Sequence, residues 1–287
     1  NNSLNVDFIR ACMKHRIPLY FVSAKGKYLG KINNIQNEAI ENRLLQYNIY
    51  FNESRKLELA KDIINGKIKN SLQMLYRFRR LIGYDLSNEI QHIVKIKNSI
   101  GEIKDIKTIM GYEGIIARYY FQGLGKTLPR EFQFNKRSKH PPLDPTNSML
   151  SFGYTLLANS IMTAIETNGM DPYIGFIHST IRNNPALVSD MMEEFRAIII
   201  DSIVINLLES GKIKHESFEF NNHNGKKFVL INKDVKKLLI MSYEKRLKTK
   251  VDYEGKNISF GRIFYYQVEK MKHAIKNNTA YKPFSFR

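Results

Sequence analysis

Two glutamates and a histidine are the residues of this sequence whose types best suit chemistry: Glu113, His178 and Glu193. Glu113 lies in a helical pattern and shares one stripe of that helix with apolar residues, so its carboxylate is expected on a buried face. Burial of a charged carboxylate is unfavourable unless a cation, a metal ion or hydrogen bonds compensate for the lost water. Glu113 therefore requires a partner, and on residue type alone a structural salt bridge is the more common one.

His178 ends a short apolar segment, and a lone histidine in such a place is more often a hydrogen-bonded core residue than a ligand. The helix that follows places Asp190 and Glu193 three residues apart on one face, with Arg196 beside them. Carboxylates at this spacing are common on exposed helices, but with an imidazole they could surround Mn²⁺ or Mg²⁺. Such an ion would serve phosphoryl transfer by polarising the phosphate and activating a hydroxyl.

Other catalytic and targeting patterns are missing from the sequence. It has no Walker A run, no GxGxxG after a strand, no GxSxG elbow and no HExxH. Its single cysteine, Cys12, cannot form an intramolecular disulfide or a paired-cysteine zinc site, and its helix position favours core packing over a nucleophile. Without a long apolar run or a signal segment, we expect a cytoplasmic protein that does not span a membrane.

The charge balance points to a polyanionic partner. The chain has 287 residues, with 45 Lys and Arg against 27 Asp and Glu, which gives a net charge of +18. Such a surplus suits either a nucleic acid or an anionic membrane surface. Basic residues concentrate at the end of a long helix and in a proline-rich loop at 124–145: Arg77, Arg79, Arg80, Lys136, Arg137 and Lys139. The helix charges could equally form a solvated face, and the loop is expected to be mobile and too polar for the core.

The elements that must position these residues are mostly helical. The pattern of residues 1–34 predicts a short amphipathic helix and two strands joined by a turn at Lys25 and Gly26. Because two strands and a helix rarely stand alone, we expect this part to be the end of a small β-containing domain whose earlier strands are absent. Apolar residues then recur at helical spacing, and the pattern predicts a hairpin around NNHNG and helices at about 40–51, 53–82, 87–100, 103–122, 146–168, 186–210, 234–248 and 259–276.

Four segments, in their order along the chain, resemble one known family. GYEGIIARYYF, DPTNSMLSFGYTLL, DPYIGFIHS and ALVSDMMEEFR are similar to motifs of the CRISPR-associated adaptation integrases, the family called Cas one. The resemblance extends from IPLYFVSAKGKYLGKI to the closing YKPFSFR, so it covers nearly the whole chain. Each motif alone is unspecific, whereas their joint order is specific.

The resemblance implies an α+β fold, mainly α. It gives a remnant of an N-terminal β-sandwich in residues 1–34 and a large helical catalytic domain in residues 35–287, with a small β-hairpin insertion. By the same resemblance, the Mg²⁺ or Mn²⁺ ligands fall on Glu113, His178 and Glu193, and Asp190 is an auxiliary ligand or a residue that supports one. Tyr154 and Arg196 match residues that line the DNA, although Tyr154 could be core and Arg196 could pair with Glu193.

The family's reaction gives the functional hypothesis. The 3′-hydroxyl of a short foreign DNA attacks a phosphodiester at the CRISPR repeat boundary, and water in its place would give endonuclease activity. The resemblance also implies a homodimer, in some members two dimers bridged by a small ferredoxin-like subunit, and in some a fused or associated reverse transcriptase. The rival hypothesis is a non-catalytic basic scaffold that holds DNA, with Glu113, His178 and Glu193 in structural ion pairs. A peripheral membrane protein is disfavoured because no basic amphipathic segment stands out.

Overall fold

The fold is mainly helical in a computed structural model that describes residues 4–15, 17, 19–22, 28–32, 38–178, 184–223 and 225–286. The described helices are α1 (Val6–Lys14), α2 (Glu38–Phe51), α3 (Glu53–Ile82), α4 (Ser87–Ser99), α5 (Ile106–Thr127), α6 (Pro145–Thr167), α7 (Ala186–Met192), α8 (Ser202–Glu209), α9 (Lys233–Lys248) and α10 (Phe260–Lys276). The strands form antiparallel hairpins: β1 (Leu19–Val22) with β2 (Tyr28–Ile32), β3 (Phe218–His223) with β4 (Lys226–Ile231), and β5 (Lys250–Tyr253) with β6 (Lys256–Ser259). The mainly helical class expected from the sequence is confirmed.

Helix α3 is the long spine of the helical part, and its ends follow from local chemistry. The Asn52 side chain accepts a hydrogen bond from the Arg55 amide, and Gly83 ends the helix in the left-handed region at φ 72°. Between these caps, α3 packs against α4 and α5 through fully buried residues such as Ile64 and Ile68. Lys67 lies between these two isoleucines, so its side chain starts from the buried face of the helix.

Helix α5 is longer than its sequence predicts. Its side-chain cap is Asp105, which accepts from the Thr108 amide, but the end predicted at Gly123 is wrong because the helix continues to Thr127. Gly123 permits close packing instead, since a Cβ there would lie 2.8 Å from the Leu75 side chain. Glycine marks a helix contact at this position and not a helix end.

Helix α6 lies in the core. It begins at Asp144, whose side chain accepts from the Asn147 amide at 2.8 Å, and it packs against α7, α9 and α10. By length and composition it is the one helix of the described ranges that could cross a membrane, but 56% of its most apolar window is buried inside the protein. Burial against three neighbouring helices identifies it as a core helix.

The single helix predicted for residues 186–210 is wrong, because the chain forms three pieces there. Helix α7 ends at Met192, a π-helical turn spans Arg196–Asp201, and α8 begins at Ser202. A π-turn widens the backbone and is frequent at functional sites. The stretch from 190 to 201 also contains four almost fully buried acidic residues, Asp190, Glu193, Glu194 and Asp201.

The proline-rich segment 124–145 also differs from expectation, because it packs against the helices and is not a purely polar loop. Leu128, Phe132 and Phe134 are buried, and the Thr146 hydroxyl donates to the Phe132 carbonyl at 2.7 Å. The basic residues between these apolar side chains make the segment look too polar for the core in the sequence. The packing fixes the basic part of the segment against α6.

The N-terminal part contains the predicted helix and strands, with Leu19 opposite Ile32 in the β1–β2 hairpin. The predicted turn at Lys25 and Gly26 and the boundary between residues 34 and 35 lie outside the described residues. The β-sandwich and the division into two domains therefore stay predictions. The β5–β6 hairpin, which the sequence pattern missed, turns through Glu254 and Gly255, both at positive φ.

Candidate active site

Lys67 joins the two predicted catalytic glutamates. Its Nζ forms an ion pair with Glu113 Oε1 from α5 and lies 2.8 Å from Glu193 Oε2, which follows α7. Burial alone would lower the pKa of Lys67, but the carboxylates of Glu193 and Glu113 outweigh it and raise that pKa. Glu113 remains partly exposed while Glu193 is buried, so the pair lies at the edge of the core.

Arg196 is the second cation on Glu193. Its Nη2 lies 3.3 Å from Glu193 Oε1, and its guanidinium lies over the Tyr154 ring at 5.0 Å from the centroid. Burial opposes ionisation of Glu193, yet Arg196 and Lys67 lower its pKa to about 2. Glu193 is therefore a carboxylate anion at neutral pH in spite of its burial.

Tyr154 forms part of the wall behind these charges. Its hydroxyl donates to Asp201 Oδ1 at 2.6 Å, and the Tyr120 hydroxyl donates to Asp201 Oδ2 at 2.8 Å. Arg137 lies over the same Tyr154 ring at 5.4 Å. The hydroxyl is thus used inside the protein, whereas the ring is the surface against which Arg137 and Arg196 are placed. Burial raises the pKa of Asp201 to about 6, although both tyrosine hydrogen bonds oppose the change.

Asp190 holds the segment that presents His178. Its carboxylate accepts from the amides of Phe176 at 2.5 Å, Ile177 at 3.0 Å and His178 at 3.1 Å, and Oδ1 lies 2.7 Å from His178 Nδ1. Burial opposes protonation of His178, but the hydrogen bond to Asp190, the charge of Asp190 and Glu193 raise its pKa. An imidazole held through Nδ1 presents Nε2 as its ligating nitrogen. These contacts place Asp190 in a supporting position.

Gly175 is necessary for this arrangement. A Cβ on Gly175 would lie 2.7 Å from the Asp190 carboxylate oxygen Oδ2 and 2.7 Å from the Ala186 carbonyl carbon. Both neighbours are fixed, one by its hydrogen bonds and the other by the backbone. Only glycine fits, and the predicted residue His178 depends on it.

A cavity of about 330 Å³ opens beside the glutamates. Its lining includes both carboxylates and five of the cations near them: Lys67, Lys136, Arg137, Lys139 and Arg196. His178 is not part of this lining, although its charge and that of Glu193 affect each other's pKa. Burial lowers the pKa of Lys139, and the nearby Arg196 and Arg137 add to this effect. Such a cavity suits an anion, and the planar guanidinium of arginine matches the geometry of phosphate and carboxylate groups.

The donor set fits a divalent cation by chemistry. Glu193 Oε2 is buried and makes no hydrogen bond of regular geometry, and two carboxylates with one imidazole suit Mg²⁺ or Mn²⁺. Within the described ranges, no three His, Cys, Asp or Glu side chains are already arranged around one point as metal ligands. The ammonium of Lys67 instead lies between the two carboxylates.

The remaining predicted DNA contacts lie elsewhere. Arg77, Arg79 and Arg80 line a second groove between α3, α4 and the last residues of the chain. Lys69 and Lys97 line the same groove, and its described lining contains no acidic side chain. The structure thus separates the predicted basic residues into those in the cavity beside the glutamates and those in this basic groove.

Lys67 and Asp201 are site residues that the sequence analysis missed. Lys67 carries the same signal that identified Glu113, a charged residue within an apolar helical stripe. Asp201 lies within the apolar run that follows Arg196, so it too could have been identified as a buried charge that requires partners.

The comparison with known families decides where the chain belongs. A family model described as CRISPR associated protein Cas1 matches residues 1–245. The chain belongs to the Cas1 family. It is 30% identical over 285 residues to CRISPR-associated endonuclease Cas1 3 of Thermus thermophilus, a match that covers 97% of this chain and 82% of the relative. The resemblance of the four sequence motifs is thereby confirmed.

Solved structures with this Cas1 fold include two that are informative. A casposase bound to integration product matches with a TM-score of 0.83 at 24% identity, over 99% of this chain and 79% of the casposase. A Cas6-RT-Cas1–Cas2 complex matches with a TM-score of 0.81 at 23% identity, over 98% of this chain and 31% of the matched chain. Both matches confirm the mainly helical fold.

Proposed function

We propose that this Cas1 chain is a metal-dependent DNA integrase and endonuclease of CRISPR adaptation, which inserts short foreign DNA into the CRISPR array by 3′-hydroxyl transesterification. The observation that carries the proposal is the meeting of Glu113 and Glu193 beside a positioned His178, at the edge of a cation-lined cavity. The Thermus thermophilus relative is named an endonuclease, and the structural neighbour with an integration product is a casposase. Both names agree with phosphodiester chemistry.

Glu113, His178 and Glu193 would hold Mg²⁺ or Mn²⁺, with Asp190 as the auxiliary residue that fixes His178. The bound ion would supply Lewis-acid stabilisation of charge on the scissile phosphate. Arg196 and Lys139 would bind the phosphate oxygens in the cavity, and the Tyr154 ring would keep the Arg196 guanidinium in place.

Double-stranded DNA is the proposed partner, bound at two surfaces. Lys136, Arg137 and Lys139 would contact DNA near the cavity, and the basic groove with Arg77, Arg79 and Arg80 would contact phosphates farther away. These contacts are to the backbone, so little sequence specificity is expected from one chain. Replacement of Arg79 with Ala should reduce the slope of log affinity against log salt by about 1, because one phosphate contact is lost.

The same proposal includes assembly in the cytoplasm. The N-terminal part exposes a series of large apolar side chains, which suits contact with a second copy: Leu4, Val6, Phe8, Ile17, Leu29, Ile40, Leu44 and Phe51. A small ferredoxin-like subunit that bridges two dimers, and a reverse transcriptase, are the further proposed partners. The Cas6-RT-Cas1–Cas2 complex in which a chain of this fold occurs supports them.

The decisive experiment is strand transfer of a labelled short duplex with 3′-hydroxyl ends into supercoiled plasmid, in Mn²⁺ and in EDTA. We expect joining by the wild type in Mn²⁺ alone, and about a thousandfold loss in Glu113→Gln and His178→Ala. Glu89→Gln is the matched control, since Glu89 is a buried glutamate with its own lysine, Lys126, at 2.6 Å. Joining that survives EDTA, or that persists in both site variants, would contradict the proposal.

One observation favours the rival scaffold function: Glu113 and Glu193 already have a cationic partner in Lys67. A scaffold would bind DNA but would not join it with Mn²⁺, and Glu113→Gln would leave a reaction driven by another subunit unchanged. The same strand-transfer assay therefore separates the two functions.

A further inference from the structure

We propose that Lys67 is the internal counter-ion of the catalytic carboxylates, and that its ammonium and the divalent cation exclude each other from the position between Glu113 and Glu193. This inference rests on the proposed function, since it concerns the same site. It assigns to Lys67 a positioning role, because the lysine would hold the two glutamates together before the cation binds.

The contacts of Lys67 support this role. Its side chain is only 10% exposed, and its Nζ is paired with one oxygen from each glutamate. The carboxylates come from different segments and would repel each other without a cation between them. A buried ammonium therefore keeps the two carboxylates close to each other.

Arg196 shows why Lys67 is the exchangeable partner. Arg196 binds the other oxygen of Glu193, Oε1, and lies against the Tyr154 ring, so its planar guanidinium is held on two sides. Lysine carries a compact charge on a flexible four-carbon stem and can change partners by rotation of that stem. A divalent cation held by Glu193 would therefore displace Lys67 and leave Arg196 in place.

The cavity provides a place for the displaced ammonium. Lys67 itself lines this 330 Å³ space, and so do the cations that would bind a phosphate group. A released Lys67 would therefore meet the phosphate oxygens of bound DNA. Cation binding would then favour DNA binding, because the displaced Lys67 ammonium becomes available to the phosphates. DNA binding would favour cation binding in turn, because the phosphates hold Lys67 away from the two carboxylates.

Substitution of the lysine separates this role from simple ion pairing. Lys67→Met removes the charge at similar length and leaves two carboxylates without their shared partner. If Lys67 competes with the divalent cation, its loss makes the site more negative and raises affinity for the cation. If Lys67 only supports the local fold, its loss disturbs both glutamates and lowers that affinity.

The test is calorimetric titration of MnCl₂ into the metal-stripped full chain without DNA. We expect Lys67→Met to bind Mn²⁺ at least about tenfold more tightly than the wild type, because one unit charge between the ligands is gone. Lys67→Gln, which keeps polarity, carries the same expectation and covers the case in which the Met variant does not fold. Lys126→Met is the matched control, since Lys126 on α5 forms an ion pair with Glu89 on α4, away from the site.

Two outcomes would overturn different statements. Mn²⁺ binding that Glu193→Gln abolishes, but that is unchanged or weaker in both Lys67 variants, would overturn the role of Lys67 and leave the proposed metal site standing. Failure of every form, including Lys67→Gln, to bind Mn²⁺ through Glu193 would overturn both the metal site and this inference. Thermal unfolding gives a second readout: Mn²⁺ should raise the Tm of the Lys67 variants by more than it raises that of the wild type.

Discussion

Glu193 and Glu194 are neighbours in the chain and are buried alike, but they face two different regions. Glu193 is 3% exposed and meets the cations Arg196 and Lys67, and its pKa is lowered to about 2. Glu194 is 2% exposed, and burial raises its pKa to about 7. Equal burial therefore produces opposite shifts, and the chemistry of the partners decides the sign.

The region behind Glu194 is built from neutral hydrogen-bond donors. Oε1 accepts from the Tyr281 hydroxyl at 2.7 Å, and Oε2 accepts from Gln267 Nε2 at 2.9 Å and from the Phe284 amide. Asn70 on α3 donates to the Glu194 carbonyl at 2.7 Å and to the Phe284 carbonyl at 2.8 Å. Neutral donors satisfy the oxygens but do not outweigh the loss of water.

The difference suggests a division of labour. The cavity brings opposite charges together, whereas the network of Tyr281, Gln267, Phe284 and Asn70 fixes Glu194, the residue next to Glu193, and ties it to α3, the helix of Lys67. Substitutions in the network should therefore reduce stability, and substitutions of the two cavity carboxylates, Glu113 and Glu193, should reduce activity more than stability.

The largest stability effect is expected from Glu194→Ala. This change leaves the Tyr281 hydroxyl, the Gln267 amide and the Phe284 amide without their acceptor in the core, so the free energy of unfolding should fall by about 4 kcal/mol. Urea unfolding followed by circular dichroism measures the change. Glu193→Gln, one residue away, should cost less, because Lys67 keeps Glu113 as its partner and the amide oxygen can still accept from Arg196. Equal losses in the two variants would contradict the division between the regions.

Asp201 should make stability depend on pH. Its folded pKa of about 6 lies above its ordinary value of 3.8, so the folded state binds the proton more tightly. Proton binding by Asp201 therefore stabilises the folded state. This contribution to the free energy of unfolding is complete below about pH 4 and is lost as pH rises through 6, in total about 3 kcal/mol. Asp201→Asn should remove this dependence.

Urea unfolding at several pH values between 4 and 7 checks the Asp201 prediction, with the difference between wild type and Asp201→Asn as the readout. A difference that grows in the opposite direction with pH would mean that cations, and not burial, control this carboxyl. Asp201 would then belong with Glu193 and not with Glu194.

A smaller effect is expected where the C-terminal segment crosses α3. A Cβ on Gly66 would lie 2.5 Å from Pro283 Cβ, so Gly66→Ala must displace the segment that holds Glu194. We expect a loss of about 2 kcal/mol, seen as a lower Tm. Gly111→Ala in α5 is the control, because nothing lies within 4 Å of its added Cβ. A tolerated Gly66→Ala would show that the segment moves freely and does not hold the site.

Much of the helical framework could be predicted from the sequence, because caps and periodicity are local signals. Asn52 and Gly83 mark the ends of α3 as expected. The break between Met192 and Ser202 could not be predicted, because apolar residues continue through the π-turn and periodicity does not register one extra residue. The helix end predicted at Gly123 was wrong because a glycine can either end a helix or allow a neighbouring side chain to pack closely, and only the tertiary fold distinguishes the two.

The site shows the same limit. That Glu113 requires a partner follows from its sequence environment, but the identity of Lys67 as that partner depends on how α3 packs against α5. His178 and Asp190 are only 12 residues apart, and the sequence pattern grouped them as possible ligands of one metal ion. In the structure, Asp190 contacts His178 Nδ1 and supports the imidazole. Ion-pair partners that are distant in the sequence can be identified only when the fold shows which helices pack together.

The smallest effect is expected at an exposed pair of the same type as Lys67 and Glu193. Lys270 Nζ contacts Glu254 Oε1 at 2.5 Å, but the Glu254 side chain is 63% exposed. Water screens this pair, so Lys270→Met should change the free energy of unfolding by no more than about 0.5 kcal/mol. Urea unfolding of Lys270→Met and Lys67→Met in parallel compares one substitution in two environments. If both variants lost the same stability, burial would not be what distinguishes the ion pairs of the cavity, and the contrast between Glu193 and Glu194 would need another cause.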